Sequence, residues 1–340
     1  MSVLLEVEDL KVRFRSMGMV RALATRTSDP FLDAVCNVSF QVRPGETLGL
    51  VGESGSGKST IARALMGLNP VHSGSIRFAG NELTGLSQRA YKPYRRDMAM
   101  MFQDPVGSLS PRLTVRSLIT EPFKMHGMRD RDRDAEAKRL LEMVGLGTDF
   151  AQRFPHQLSG GQARRIGVAR ALALDPKLII ADEPTAGLDV SVQGEVMNLL
   201  ARLQEELGIA MLIITHNLNV VRHISDHMAV MYLGRFVEQG PTEEVFYRPR
   251  HPYTEVLLSA NPEPDPDARI QRVEARGDVP SLVNRPPACE FHTRCPRARQ
   301  VCSQIDPGVS SAGEGHVYRC HFPLNSEHDA SKEGGVRQER

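Results

Sequence analysis

Apolar positions recur at regular intervals through most of the chain. Residues 3–14 and 34–51 place apolar side chains at alternate positions, which predicts strands buried on one face. Residues 178–181 and 210–214 are apolar throughout, as in strands covered on both faces of a parallel sheet. Residues 192–206 between them have helical spacing, so this stretch predicts a strand–helix–strand unit within an α/β fold.

The rest of the pattern outlines the domains. Residues 75–78 and 98–102 predict a further pair of strands, and residues 105–170 are mostly helical. We therefore expect one domain over residues 1–260 with a helical subdomain at about 105–170.

The character of the chain changes after residue 260. Six prolines fall within 262–287, apolar periodicity fades, and four cysteines follow. Residues 261–324 thus predict a proline-rich linker into a small cysteine-rich region, and the polar residues 325–340 predict a disordered tail.

Charge and hydropathy exclude several classes of protein. The 42 Lys and Arg residues nearly balance 41 Asp and Glu residues, so no overall field favours nucleic acid as a partner. The longest apolar runs, such as 209–214, fall far short of the roughly 18 residues that suggest a membrane span. The first nine residues include acids and no basic stretch, unlike a secretory signal. We expect a cytoplasmic chain that meets a membrane only through partners.

A glycine-rich segment at residues 52–60 fits the pattern G-x-x-x-x-G-K-[ST]. An apolar strand precedes it and a helix follows, which is the setting in which backbone N–H groups can cradle phosphate oxygens. Lys58 is expected to reach the β- and γ-phosphates, and Ser59 to bind Mg²⁺. The segment predicts a nucleoside triphosphate site formed by Gly52, Ser54, Gly55, Ser56, Gly57, Lys58, Ser59 and Thr60.

Two other segments carry matching chemistry. The strand at 178–181 ends in Asp182 and Glu183, which predicts a carboxylate near Mg²⁺ and a base for the attacking water. We expect the N-terminus of the helix that begins after Ser159 to bind a second anion; a simple N-cap is the alternative. Two such helix starts are explained by one ATP held between two chains.

The sequence Leu-Ser-Gly-Gly-Gln at 158–162 resembles the signature of the ATP-binding subunits of ABC transporters. The resemblance covers roughly residues 1–250 and implies a P-loop NTPase with a RecA-like parallel core, an N-terminal antiparallel β-subdomain, an inserted helical subdomain and a small Cys-rich extension. It also implies roles for individual residues. The signature residues that face the partner's ATP are Ser159, Gly160, Gly161 and Gln162. The D-loop residue is Asp189, and the switch histidine is His216. The Q-loop residue, which also senses Mg²⁺, is Gln103.

Further implied roles concern the metal and the base of the nucleotide. The expected Mg²⁺ ligands are Ser59, Gln103 and Asp182, and Glu183, His216 and Gln103 form the expected catalytic set. The family's aromatic side chain that stacks on adenine corresponds best to Phe14, for which a core position is the alternative.

Residues 102–105, 108–112 and 251–260 are similar to the ATPases of oligopeptide and dipeptide importers. That similarity implies ATP hydrolysis coupled to uptake of di-/oligopeptides or related small solutes, at the cytoplasmic face of the membrane. The implied partners are a second, related ATPase chain, two membrane permeases and, indirectly, an extracytoplasmic solute-binding protein; nucleic acid is not among them. Soluble ABC ATPases of translation, DNA repair or cofactor assembly are the rival class, and a metal-binding regulatory module with a nucleotide switch is a third.

Four cysteines form the spacing Cys289-x5-Cys295-x6-Cys302-x17-Cys320. Four thiolates suit a [4Fe–4S] cluster or a structural Zn²⁺ ion, although the spacings match neither common zinc sites nor ferredoxins. His292, His316 and His321 are alternative ligands. The resemblance favours the iron–sulfur cluster, followed by zinc and then by a disulfide or free thiols.

Overall fold

The structure is a computed structural model that describes residues 2–15, 31–102, 104, 107, 109–260 and 272–325. The first part of the chain alternates strands with short helices. In order these are β1 (Leu5–Arg15), β2 (Phe31–Val42), β3 (Thr47–Val51), α1 (Lys58–Leu65), β4 (Ser73–Phe78), β5 (Asn81–Glu82), α2 (Gln88–Tyr91), α3 (Tyr94–Asp97) and β6 (Met98–Met101).

Helices dominate the middle of the chain, and strands return after it. The elements are α4 (Val115–Met125), α5 (Arg133–Met143), α6 (Gly160–Leu172), β7 (Leu178–Asp182), α7 (Val190–Leu207), β8 (Ala210–Thr215), α8 (Leu218–Ile224), β9 (His227–Tyr232), β10 (Arg235–Pro241), α9 (Thr242–Tyr247), α10 (Pro252–Ser259), β11 (Ser310–Gly313) and β12 (His316–Tyr318). Short 3-10 turns lie at Thr148–Gln152, Pro155–Gln157, Leu282–Asn284 and Gln300–Ser303.

The strands form two sheets. A four-stranded antiparallel sheet has the order β2-β1-β4-β5, and an eight-stranded sheet has the order β11-β12-β10-β9-β3-β8-β7-β6. Strands β6, β7, β8, β3 and β9 are parallel. Every residue of β3, β7 and β8 is buried, which explains their unbroken apolar sequence. The predicted parallel core with an N-terminal antiparallel sheet is confirmed.

The two strands predicted at 75–78 and 98–102 are both observed, and they belong to different sheets. Strand β4 pairs with β1 in the antiparallel sheet, whereas β6 pairs in parallel with β7. The two strands differ in how many of their faces are buried. Buried Ile76 and Phe78 alternate with more exposed residues on β4, which suits a sheet with one open face, while β6 borders the fully buried strand β7.

The predicted helical subdomain consists of α4, α5 and α6. These helices share one apolar cluster, which includes Leu118, Phe123, Leu140 and Ile166. The helix predicted at 192–206 is observed as α7, which connects the parallel strands β7 and β8. None of the helices that the structure describes has the length and apolar character needed to cross a membrane.

The C-terminal region packs on the core rather than standing apart from it. Strand β12 pairs with β10, and β11 then forms the edge of the eight-stranded sheet. The buried Glu238 carboxylate on β10 accepts hydrogen bonds from the backbone N–H of His251 (2.9 Å) and pairs with His316 Nε2 (2.8 Å). Phe291 packs against the rings of Tyr232 and Tyr253, with centroids 5.3 and 5.2 Å away. These contacts place residues 289–295 beside the glycine-rich loop.

Candidate functional site

The glycine-rich loop runs from the end of β3 to the first turn of α1, as predicted. Gly52 and Gly57 have φ values of +153° and +111°, in the range that favours glycine. A Cβ atom at Gly52 would lie 2.1 Å from the Met231 carbonyl oxygen, and one at Gly57 would lie 2.5 Å from the Ala34 carbonyl oxygen. The loop therefore needs glycine at both positions in order to keep its shape.

Lys58 begins α1, and its side chain turns back over the loop. Its ammonium group donates to the carbonyl oxygens of Gly52 (2.7 Å) and Glu53 (2.9 Å) and to Ser56 Oγ (3.3 Å). Burial lowers the pKa of the Lys58 ammonium, while nearby carboxylates, that of Glu183 foremost, oppose this shift. The cation lies where it can bind the terminal phosphates of a nucleotide.

Ser59 and Asp182 are adjacent although 123 residues separate them in sequence. Ser59 Oγ donates to Asp182 Oδ1 over 3.0 Å, because α1 and the end of β7 meet at the same edge of the sheet. Burial raises the pKa of the Asp182 carboxyl, and the hydrogen bond from Ser59 opposes that rise. The two oxygens are donors of the kind that Mg²⁺ prefers.

Glu183 follows β7 in a left-handed backbone conformation with φ +51°. Its N–H donates to the Ile214 carbonyl oxygen at 2.8 Å, which fixes the residue against the end of β8. Glu183 Oε1 lies 2.9 Å from His216 Nδ1, although sequence alone placed these residues in separate motifs. A carboxylate and an imidazole in contact can share the binding and deprotonation of a water molecule.

Lys58, Ser59, Glu183 and His216 line one cavity of about 630 Å³. That volume is in the range of small-molecule sites. Leu257 and Leu282 add an apolar wall from the C-terminal part of the chain. The lining from the glycine-rich loop and the strand ends comprises Gly52, Glu53, Ser54, Gly55, Gly57, Lys58, Ser59, Thr60, Glu183, Ala186 and His216.

Phe14 lies near the end of β1, opposite Leu32 on β2. It is half-buried and packs against the main apolar cluster. Phe14 does not line the nucleotide cavity, whereas Leu282 does. Its stacking on adenine stays a prediction. Gln103, the predicted Q-loop residue, lies outside the described residues.

The signature residues lie away from this cavity. Ser159 caps α6: its Oγ accepts the Gln162 N–H (3.3 Å), and Gln162 Oε1 accepts the Ser159 N–H (3.0 Å). This reciprocal pair is a capping box, so the N-cap alternative describes the local geometry correctly. Gly160 is exposed and Gly161 is half-buried, and none of the residues Ser159, Gly160, Gly161 and Gln162 lines the cavity.

Asp189, the predicted D-loop residue, is exposed and caps α7. Its Oδ1 accepts the Val192 N–H (2.9 Å) and the Ser191 hydroxyl (2.7 Å), and these bonds lower the pKa of the carboxyl. The neighbouring Val190 is 85% exposed, the most exposed of the large apolar side chains that the structure describes.

The four C-terminal cysteines line one narrow cavity, and His292 and His321 line it too. They are free thiols in this structure, and the cavity has a volume of only about 10 Å³. Among the described residues, no three His, Cys, Asp or Glu side chains are arranged to hold a metal ion. The donor types fit an iron–sulfur or zinc site, but the side chains must turn to make room, so the metal stays a prediction. His316 binds Glu238 instead.

Three residues that sequence reasoning missed support the site. Buried Arg164 on α6 donates to the Ala186 carbonyl oxygen at 2.7 Å, which links the signature helix to the loop after Glu183. Tyr253 and Arg294 both bind Glu53 in the phosphate loop. No local pattern marks the role of Arg164 or of Arg294, and Tyr253 stood out in the sequence only as part of the stretch 251–260 that is similar to peptide-importer ATPases.

Comparison with known proteins agrees with this geometry. Residues 35–186 match the ABC transporter family, and residues 237–302 match the family "Oligopeptide/dipeptide transporter, C-terminal region". The oligopeptide transport ATP-binding protein AppF of Bacillus subtilis is 45% identical over 323 residues, which cover 94% of this chain and 97% of AppF.

Solved structures give the same assignment. The ATP-binding cassette MJ0796, a dimer bound to ADP and phosphate, is 29% identical with a TM-score of 0.61, covering 70% of this chain and 98% of MJ0796. CbiO1 of Clostridium perfringens, part of an ABC transporter complex, is 28% identical with a TM-score of 0.60, covering 73% of this chain and 92% of CbiO1. With AppF matched along nearly its whole length, this chain belongs to the ATP-binding subunits of ABC transporters and is an ATPase.

Proposed function

We propose that this chain powers an importer for dipeptides, oligopeptides or related small solutes, at the cytoplasmic face of the membrane. The match of residues 237–302 to the oligopeptide/dipeptide transporter C-terminal region and the peptide-transport relative AppF support this substrate class. The separate location of the signature and the nucleotide cavity carries the rest of the proposal, because it leaves each chain with two incomplete halves of a site.

A second ATPase subunit completes the cavity. Its signature helix, equivalent to the one capped by Ser159 here, presents free N–H groups and the positive end of the helix dipole to the γ-phosphate. Exposed Asp189 and Val190 lie beside the seam between the subunits. The subfamily resemblance favours a related chain rather than a second copy as the partner.

Hydrolysis in this site uses Glu183 as the base. A water molecule held by His216 and Glu183 attacks the γ-phosphorus; its proton moves to the Glu183 carboxylate as the new P–O bond forms and the bond to the bridging oxygen of ADP breaks. Lys58 stabilises the growing charge on the phosphate oxygens. Ser59 and Asp182, with Gln103 as a predicted third ligand, would hold Mg²⁺, which neutralises phosphate charge when bound.

An apolar groove between the core and the helical subdomain is the proposed permease site. Leu68, Phe102 and Met125 line it and are 51%, 47% and 61% exposed. Arg95 and Arg96 lie at its margin, and the groove has a volume of about 330 Å³. We assign the groove to a short amphipathic helix of a permease. The apolar face of that helix would contact Leu68, Phe102 and Met125, and an acidic side chain would pair with Arg95 or Arg96.

The proposed role of the C-terminal cysteines is structural. Cys289, Cys295, Cys302 and Cys320 would hold a [4Fe–4S] cluster, with zinc as the alternative, and so tie down a region that has little apolar core of its own. Anaerobically purified protein is expected to contain four iron and four sulfide per chain with broad visible absorption. One zinc ion per chain would instead support the zinc site. Folded protein without metal would contradict both the iron–sulfur cluster and the zinc site.

Co-purification tests the importer assignment. A tagged Glu183→Gln variant with ATP and Mg²⁺ should retain two permeases and a second ATPase from detergent-solubilised membranes. Met125→Glu in the groove should remove the permeases and leave the ATPase pair intact. Ile305→Glu is the matched control, because Ile305 is 57% exposed and does not line the groove. Recovery of only soluble partners, such as ribosomes or DNA-repair proteins, would overturn the transport function.

The transported class needs its own test. In proteoliposomes that contain the recovered permeases and the associated binding protein, ATP hydrolysis should rise when a di- or oligopeptide is added. Stimulation by an unrelated solute, with none by peptides, would contradict the proposed substrate while leaving the ATPase assignment intact.

A further inference from the structure

Glu53, the first residue after Gly52 in the phosphate loop, forms an ion pair with the C-terminal region. Arg294 Nη1 lies 2.7 Å from Glu53 Oε2, and Arg294 Nη2 lies 3.0 Å from Glu53 Oε1. This two-pronged contact joins residues 241 positions apart. Such paired guanidinium–carboxylate bonds fix orientation as well as distance.

Arg294 has little freedom to leave this position. The residue is 8% exposed, and its guanidinium lies 5.9 Å from the centroid of the Tyr232 ring and 6.0 Å from that of Phe291. Phe291 and Tyr232 belong to the aromatic cluster that attaches the C-terminal region to the core. The ion pair is therefore carried by a packed scaffold, in contrast to a pair of long side chains in water.

The backbone of Glu53 is held on both sides as well. Its N–H donates to Tyr253 Oη at 2.9 Å. Its carbonyl oxygen accepts Lys58 Nζ at 2.9 Å and the Ser56 N–H at 3.2 Å. The position of Glu53 thus sets the turn over residues 53–56 and one anchor of the phosphate-binding lysine.

The pair also has an electrostatic consequence. Glu53 brings a negative charge to the lining of a cavity that must accept a polyanion, and like charges repel more strongly where water is partly excluded. The Arg294 guanidinium offsets this charge. Removing Arg294 alone would leave the Glu53 carboxylate without this partner in the lining of the cavity.

We infer that Arg294 is a positioning residue of the nucleotide site: it holds the phosphate loop through Glu53 and cancels the charge of that carboxylate. The C-terminal region is then part of the ATP-binding apparatus rather than an appendage to it. This inference depends on the ATPase assignment alone, and neither the transported solute nor a metal at the cysteines enters it.

The test is a pair of single variants and their combination. Arg294→Gln is expected to raise the dissociation constant and the KM for ATP about tenfold, while kcat stays within about twofold. Glu53→Gln is expected to stay within about threefold of the wild type, because it removes the repelling charge along with the pair. The double variant should have the same KM for ATP as Glu53→Gln, about threefold or more below that of Arg294→Gln. Binding is measured with a fluorescent ATP analogue, and turnover by phosphate release.

Relief by the second substitution shows that the charge of Glu53 carries the effect, since lost packing at residue 294 would persist in the double variant. Arg319→Gln is the matched control, because Arg319 pairs with Asp306 in the same region and is remote from the loop; it should leave the KM for ATP unchanged. Unaltered KM in Arg294→Gln, or a double variant as weak as that single one, would overturn the inference.

A second set of variants applies if Arg294→Gln does not fold, as judged by circular dichroism. Arg294→Lys keeps the charge but loses the two-pronged geometry, so the KM for ATP should rise by about threefold, and adding Glu53→Gln should not reverse that rise. No rise with the lysine variant would also contradict the inference.

Discussion

Replacing Glu183 by glutamine removes a proton acceptor with little change in shape. The amide oxygen can still lie 2.9 Å from His216 Nδ1, and the N–H of residue 183 can still donate to the Ile214 carbonyl oxygen. Binding of ATP should therefore persist. An amide cannot take the proton of the attacking water, and a positioned general base contributes about 10²- to 10⁴-fold to rate. At about 1.4 kcal/mol per tenfold, the barrier should rise by about 3–5 kcal/mol.

The assay is phosphate release under saturating ATP and Mg²⁺, with the assembly state followed by size-exclusion chromatography. The variant complex should bind nucleotide, hydrolyse it at least a hundredfold more slowly (roughly the lower limit for a lost base) and stay associated. Glu195→Gln serves as the control, because Glu195 is an exposed carboxylate that pairs with Arg165. A Glu183→Gln rate within about tenfold of the wild type would refute the assignment of Glu183 as base.

Three further changes test the loop, the signature and the helical subdomain. Gly57→Ala should abolish ATP binding in a filter assay, because φ is +111° and a backbone oxygen lies where the Cβ would stand. Ser159→Ala should lower the free energy of unfolding by about 1 kcal/mol and slow ATP turnover of the assembled pair, while nucleotide binding by the isolated subunit is unchanged. Glu136 is buried, which raises the pKa of its carboxyl, but hydrogen bonds from Arg139 and Arg131 outweigh this and lower it. Glu136→Gln should therefore cost about 1–3 kcal/mol at neutral pH in urea titrations, and the difference should fade as the pH drops below about 4.5, where the wild type loses the same contribution. A difference in the free energy of unfolding that does not change with pH would contradict the lowered pKa of the Glu136 carboxyl.

Local sequence predicts the phosphate loop because all of its parts are contiguous. The loop follows the strand directly and contains Gly52, Gly57 and Lys58 within seven consecutive residues, so their spacing implies their geometry. The contact between Glu183 and His216 is different. It arises because β7 and β8 are neighbours in parallel register, with Asp182 opposite Ile214, and only the family resemblance anticipated that the two residues share a site.

Contacts with the C-terminal region escaped prediction for a related reason. The pairing of Arg294 with Glu53 depends on how the aromatic cluster of Tyr232, Tyr253 and Phe291 seats one segment on another. No periodicity records such a contact. Sequence also does not assign β4 and β6 to their sheets, because both strands are short and their partners depend on the burial that each face requires.

The β11–β12 hairpin has a consequence for solubility. Parallel sheets built from long apolar strands become adhesive wherever a strand edge is left open. Here β12 pairs with β10 at Glu238 and Gln239, and the outermost strand is the short, largely exposed Ser310–Gly313, whose small side chains offer little to a neighbouring molecule. The hairpin thus protects part of the β10 edge from pairing with another molecule. Shortening the chain before residue 310 would expose this edge to self-association, whereas fusions placed after residue 325 leave the hairpin in place.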